Sequence, residues 1–346
     1  MTTKQQHKKT LRLGFVPLCD CAPIVMAHEL GLFERHGVKV ELKREVGWAT
    51  IRDKMLYGEL EAAQATAAMA FAATLGLGSI PVESVTGLVL NLHGNAITLS
   101  NRLWDAGVRD GGTLREFIRS NRDKPQLTLG IVFPFSSHNF LFRKWLGSHG
   151  IHPDRDVQLA VVPPPQMASS MKSGNLDGYC VGEPWNSVAV MHRTGWVAAT
   201  TAEISHLHPE KILMVTRDFA ESREAEHLAL IAALIEACRF CEQPENRERI
   251  AETLAQPEYI NAPIQALRMS MCDTFDFGKG RVESVADFNI FAGHNANEPT
   301  ADKAAWVLGH MIESGVLQDS ALVTPDTAAG VFRADIFHKA SQLNQP

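Results

Sequence analysis

No stretch of this 346-residue chain stays apolar for the roughly 18 residues that a membrane-spanning helix requires, which excludes an ordinary transmembrane α-helix. The start, Met1-Thr-Thr-Lys-Gln-Gln-His-Lys-Lys-Thr10, is polar. It lacks the apolar stretch of about 7–15 residues that a secretory leader would show, so the cytoplasm is the expected location. Blocks of like charge are also missing, and the net charge is −6. That argues against a nucleic-acid surface, because phosphate binding needs a basic face. A single buried cation serving a small anion is compatible with this balance. Cysteine is sparse. Cys19, Cys21, Cys180, Cys238, Cys241 and Cys272 are not spaced as a disulfide framework, and a chain of this length needs no staples, so they read as free thiols.

What is present is a soluble globular composition, 45% hydrophobic and 21% charged, long enough for two lobes each with its own core. Up to about residue 220 strand-like and helix-like segments alternate. Leu11–Val16 reads as a strand, Pro23–Arg35 as a helix ended by Gly37, and Val38–Lys43 as a strand. Ala49–Tyr57, Ala68–Leu75, Leu114–Arg119, Ser137–Ser148, Pro165–Lys172 and Pro184–His192 read as helices. Ala62–Ala65, Val85–Leu90, Ala96–Leu99, Leu127–Val132, Val157–Val161, Gly178–Val181 and Ile212–Thr216 read as strands. Such alternation predicts an α/β fold with mostly parallel sheets flanked by helices. From Ser222 the text turns helical, with Ser222 as N-cap of a helix to Glu242, and with further helices at Ile264–Cys272, Ala301–Glu313 and Asp326–Phe332. Two lobes follow: 1–98 plus 217–346, and 99–216. Ligands of open α/β sheets bind beyond the carboxyl ends of the strands, near helix N-termini. The loops Pro17–Pro23, Pro134–His138 and Gly182–Trp185 have that placement and carry unusual polar chemistry.

The segments Gly14-Phe-Val-Pro-Leu-Cys-Asp-Cys-Ala-Pro23, Gly31-Leu-Phe33, Gly47-Trp-Ala-Thr-Ile-Arg-Asp-Lys54, Pro163-Pro-Pro-Gln-Met167 and Val181-Gly-Glu-Pro-Trp-Asn186 occur in that order. Together they resemble the nitrate- and bicarbonate-binding proteins of ABC importers. The likeness runs from about Leu11 to Asn246, and is nearest to leaderless cytoplasmic nitrate/nitrite sensors that regulate an antiterminator. The resemblance implies a two-lobed fold of the periplasmic-binding-protein type (type II), with the ligand cleft between the lobes. It implies a pocket of tryptophan, amide, histidine and lysine, which fall on Trp48, Asn95, His138 and Lys211. It also implies a partner, an RNA-binding antiterminator of the ANTAR type, and a signal made by lobe closure, with no enzymatic activity and no cofactor or metal. One departure stands out: Gln64-Ala-Thr-Ala-Ala-Met-Ala70 lacks the two prolines of the family's corresponding stretch.

The chemistry of these side chains suits a small oxyanion such as nitrate or nitrite, which offers acceptors only. Lys211 supplies charge, and His138, Trp48 and Asn95 supply N–H donors. Taken alone, each has an ordinary reading: a core tryptophan, a turn asparagine after Gly94, a capping histidine and a surface lysine. Asp20 and Glu183 place carboxylates at the cleft, as ligand-site residues, as a weak hint of a cation, or as simple helix-start contacts. Bicarbonate, cyanate or another small polar solute is the alternative ligand. The rival from another class is a cysteine-dependent enzyme of the carbon–sulfur hydrolase kind on the same scaffold, with Cys19 as nucleophile activated by a nearby base.

Overall fold

In the computed structural model, which describes residues 10–272 and 274–344, two sheets form the cores of two lobes. The strands are β1 Leu11–Phe15, β2 Val40–Arg44, β3 Ala62–Thr66, β4 Ser84–Val85, β5 Val89–His93, β6 Asn95–Ser100, β7 Thr128–Ile131, β8 Gln158–Val161, β9 Gly178–Gly182, β10 Gly195–Thr200, β11 Pro209–Thr216, β12 Thr274–Gly278, β13 Arg281–Ser284 and β14 Asn289–Ile290. The first sheet runs β14-β5-β11-β3-β1-β2, with β4 added on β11, and the second runs β10-β6-β9-β7-β8. Each has a parallel centre (β1 with β2 and β3; β7 with β8 and β9). The strands that arrive from the other lobe, β6 and β11, pair antiparallel on it, because a chain crossing over enters the sheet from the opposite end.

The chain therefore changes sheet at Gly94 and again between Thr200 and Pro209. The sequence division at 98/99 and 216/217 had left β11 with the second lobe, whereas its register with Thr66, Ala65, Gln64 and Ala63 seats it in the first sheet. Apolar side chains from both sides of β1, β3 and β11 and from the helix Glu224–Glu242 make the large core; Ile97, Leu99, Leu129, Phe142 and Leu146 centre the second.

Several boundaries moved for identifiable reasons. Gly31, at φ 64°, breaks the expected helix 23–35 into Ala22–Glu29 and Leu32–Arg35. The helix assigned from Ser222 starts at Glu224, because Ser222 already closes the preceding helix Arg217–Ser222. Strand β10 and the hairpin β12–β13 went unrecognised. The hairpin, with Met269 of the helix before it, leaves the first sheet for the second lobe. It sets Phe275 and Phe277 against Val197 and Ala96 of the second. No helix among the described residues is long and apolar enough to cross a membrane. Cys19, Cys21, Cys180, Cys238 and Cys241 are buried thiols outside any disulfide.

Candidate functional site

Five of the six residues singled out in the sequence come together where the lobes meet, and all six are buried: Asn95, His138 and Lys211 are 0% exposed, Trp48 and Glu183 1%, and Asp20 2%. Each is set by the end of an element. Trp48 is the first residue of the helix Trp48–Leu56, behind the extended Gly47. His138 is the second residue of the helix Ser137–Ser148, whose N-cap Ser136 accepts from the Asn139 N–H. Asn95 opens β6 directly after Gly94, at φ 98°, where an added side chain would meet Asn289 Oδ1 at 2.3 Å. Asp20 sits in the single turn Cys19–Cys21 after β1.

Lys211 lies at a bulge. The pairing of β11 with β5 shifts register on both sides of it, and Asn91 Oδ1 accepts the Lys211 N–H at 3.2 Å. Neighbours on a regular strand point to opposite faces. The bulge breaks that alternation, so Glu210 and Lys211 reach the same point. Lys211 Nζ is 2.5 Å from Glu210 Oε1 and 2.8 Å from Asp20 Oδ2, and lies over the Trp48 ring at 5.2 Å. Gln64 braces the far side of Asp20: its amide nitrogen donates to Asp20 Oδ1 at 2.6 Å while its oxygen accepts the Val16 N–H at 3.0 Å. Glu210 is gripped from the other lobe. The Ser137 hydroxyl donates to Oε2, and His138 Nδ1 stands 3.5 Å from Oε1. His208 Nε2 is 3.5 Å from Oε2, its other ring nitrogen lying 2.7 Å from the Ser205 carbonyl.

Burial alone would depress the Lys211 ammonium, but Asp20 and Glu210 outweigh it and hold the group above its usual value. Burial likewise acts to raise Glu210, yet Lys211 first, then His138 and His208, hold it well below the usual carboxylate range. Asp20 is raised by burial, which exceeds the pull of Lys211. Both its oxygens face donors, so the ionised form fits its surroundings. Burial pushes His138 down to about 3, so its ring is neutral at ordinary pH.

Against this dense salt-bridge cluster, the donors around it stand unmatched. Trp48 Nε1, both amide atoms of Asn95 and both His138 ring nitrogens, one of which carries the N–H of the neutral ring, are buried and have no hydrogen-bond partner among the described residues. Buried donors are nearly always paired, so three such side chains around one ammonium mark a place built to hold acceptors. A side chain at Gly182 would meet Asn95 Oδ1 at 3.2 Å, Leu18 Cδ2 at 3.3 Å and Asp20 Oδ2 at 3.5 Å, so glycine there keeps a side chain from crowding the cluster.

Glu183 stands apart from the cluster. Its carboxylate folds back to accept the Ser187 N–H at 3.2 Å, and burial pushes it up to about 7. Its backbone does the cross-lobe work, with the Cys19 N–H donating to its carbonyl at 2.7 Å. Two more cross-lobe bonds clip the cleft shut: Trp185 Nε1 to the Pro17 carbonyl at 3.1 Å, and the Thr66 hydroxyl to the Phe135 carbonyl at 2.6 Å. With Asp20 and Glu183 held by different partners, they do not form one carboxylate pair. Among the described residues no group of three or more His, Cys, Asp or Glu is arranged to hold a metal ion. Cys19 Sγ has the Ser270 hydroxyl as its neighbour at 3.2 Å, and burial raises the thiol well above its usual value, the reverse of an activated nucleophile. Glu210, Gln64, Ser137 and His208 were missed as site residues. The only hint was Glu210 itself, a carboxylate adjoining the chosen lysine.

Residues 4–255 match the model of the NMT1-like family. The chain is 40% identical over 314 residues to the nitrate import ATP-binding protein NrtC of Synechocystis sp. PCC 6803, covering 90% of this chain and 47% of that protein. It is 38% identical over 320 residues to the bicarbonate transport ATP-binding protein CmpC of Synechococcus elongatus, covering 91% and 47%. It thus spans about half the length of these curated relatives. The crystal structure of the periplasmic nitrate-binding protein NrtA from Synechocystis PCC 6803 superposes with a TM-score of 0.91 at 29% identity, covering 97% of this chain and 89% of that one.

Proposed function

The chain belongs to the NMT1-like family, and on that premise we propose that it is a binding protein for a small oxyanion, nitrate or nitrite, held between its lobes. The observation that carries this reading is the set of unmatched donors. Trp48 Nε1, Asn95 Nδ2 and the His138 ring, drawn from both lobes, lie around Lys211, the one fully buried ammonium among the described residues. A planar anion with acceptor oxygens is the complement of that set. The likeness to a nitrate-binding structure over nearly the whole chain supports the same ligand. Bicarbonate is the second reading, favoured by the likeness to a bicarbonate transport protein.

Ligand held by donors of both lobes favours the closed arrangement and shifts its population. Closure in the cytoplasm, read by an ANTAR-type RNA-binding antiterminator that is released when ligand binds, is the regulatory part of the proposal. The buried thiols Cys19, Cys21, Cys180, Cys238 and Cys241, outside any disulfide, suit a reducing compartment. The first test is a thermal-shift panel with nitrate, nitrite, bicarbonate, cyanate and chloride. A ligand at about 100 times its Kd adds roughly 2.7 kcal/mol, a clear shift. Stabilisation by nitrate or nitrite and not by the others is expected. Stabilisation by bicarbonate alone assigns the second reading, and no shift with any anion at millimolar concentration defeats both. The regulatory part is checked by co-purification with an antiterminator partner, which nitrate should abolish.

A further inference from the structure

Resting on the reading of the site as an anion site, we propose that it takes its anion together with one proton, and that His138 receives that proton. The charges on the page lead there. In the sealed cluster one ammonium, Lys211, faces two carboxylates, Asp20 and Glu210, so these three groups carry one negative charge in excess before any ligand enters. A monoanion brought into this buried space doubles that deficit, and uncompensated buried charge is among the costliest things a protein can hold. A compensating proton removes it.

The histidine is where the proton has two acceptors waiting. A neutral imidazole carries one N–H and one acceptor nitrogen, whereas imidazolium carries two N–H groups. His138 Nδ1 faces Glu210 Oε1 at 3.5 Å, and Nε2 is buried without a partner. Once an anion's oxygen lies against Nε2, both ring nitrogens face negative oxygen, and only imidazolium donates to both. The other charged and titratable groups facing this ring are Lys211, on the same strand as Glu210, and His208, just ahead of it. Lys211 has no place for a further proton, and His208 already has both ring nitrogens facing oxygens of the protein, Nδ1 the Ser205 carbonyl at 2.7 Å and Nε2 Glu210 Oε2 at 3.5 Å, so an arriving anion changes nothing it faces. The carboxylates are poorer places. Asp20 receives hydrogen bonds or ion contacts on both oxygens, and Glu210 accepts the Ser137 hydroxyl while pairing with Lys211. Burial holds His138 neutral at ordinary pH until the anion arrives. The proton is therefore taken from solvent on binding, and none is transferred to the ligand.

Calorimetric titration of the full chain with sodium nitrate, in two buffers of different ionisation enthalpy, reads the protons taken up directly. Nitrate does not itself titrate in this range, so any proton belongs to the protein. About one proton per nitrate is expected near neutral pH, with Kd weakening by about tenfold per pH unit on the alkaline side. His138→Gln keeps an N–H donor and cannot be protonated. It should bind nitrate more weakly, with no proton uptake and a flat pH profile. Nitrate binding by the unmodified protein without proton uptake overturns the inference, and so does a His138→Gln variant that takes up a proton as the parent does. If neither nitrate nor nitrite binds at any pH from about 5.5 to 8.5, the anion reading of the site fails instead, and the inference fails with it.

Discussion

Replacing Lys211 by methionine keeps the length and apolar stem of the side chain and removes its charge, leaving Asp20 and Glu210 buried without a cation. At 2.8 and 2.5 Å each attraction is on the order of 6 kcal/mol in an effective dielectric of about 20. Most of that offsets desolvation, and breaking one partner out of a buried pair costs about 3–5 kcal/mol in practice. Lys211→Met is therefore expected to lose about that much stability at neutral pH. The pH dependence has a definite sign. In the unmodified protein Glu210 is held low, so its contribution is present above its unfolded value and is lost as pH falls through the folded one. Without the ammonium, burial is the leading influence on both carboxylates and raises them, so the penalty is largest at neutral pH and shrinks as acid protonates them. Urea denaturation of parent and variant at pH 8, 7, 6 and 5 checks this, with the gap between midpoints narrowing on acidification. Asp20→Asn and Glu210→Gln, added together to the variant, should restore most of the loss. A variant as stable as the parent at pH 7, or a deficit that does not shrink in acid, would refute the reasoning.

Three further expectations follow from the same geometry. Trp48→Phe keeps the ring and removes the unmatched Nε1, so nitrate affinity should fall by about 1.5–3 kcal/mol, a hydrogen bond to a charged acceptor, with little change in the ligand-free melting temperature. Gly182→Val fills the space beside Asn95 Oδ1 and Asp20 Oδ2, and should abolish the nitrate-dependent thermal shift while leaving a folded protein by circular dichroism. Cys19→Ala should bind nitrate as the parent does. Loss of binding in this variant, or a thiol alkylated rapidly at neutral pH, would reopen the chemical role of that residue.

Much of the fold was legible because its elements are periodic and helix stops fall on glycines such as Gly37 and Gly58, both at positive φ, whereas the stop at Gly31 was read through. The strands Gly195–Thr200 and Thr274–Gly278 were not legible, since each is short and earns its place by packing: Val197 against Phe275 and Phe277 from far along the chain. For the site, Trp48, Asn95, His138 and Lys211 were reached through ordered motifs and not through any local pattern. Burial of a lysine at a strand start is invisible in composition. Glu210 was hidden by the very rule that makes strands readable. Period-two alternation assigns it to the face opposite Lys211, and only the bulge brings the two together. Gln64 opens the stretch singled out for its missing prolines, but its role was not legible there, because it acts through hydrogen bonds to Val16 and Asp20, partners more than forty residues away.

Two of the places where the chain passes from one sheet to the other each deliver part of the site within three residues: Asn95 right after Gly94, and Glu210 and Lys211 right after Pro209. Points beside an axis move least when one lobe turns on the other. A molecule that opens about these crossings keeps its lysine, its asparagine and, on the first lobe, Trp48 near their final places, while His138 and the clips at Glu183, Trp185 and Phe135 swing away. On the proposed function, arrival and departure of the ligand would then depend on different residues. Changes at the crossings or on the first lobe act chiefly on the association rate. Changes at His138 or the clips leave capture intact and shorten the residence time.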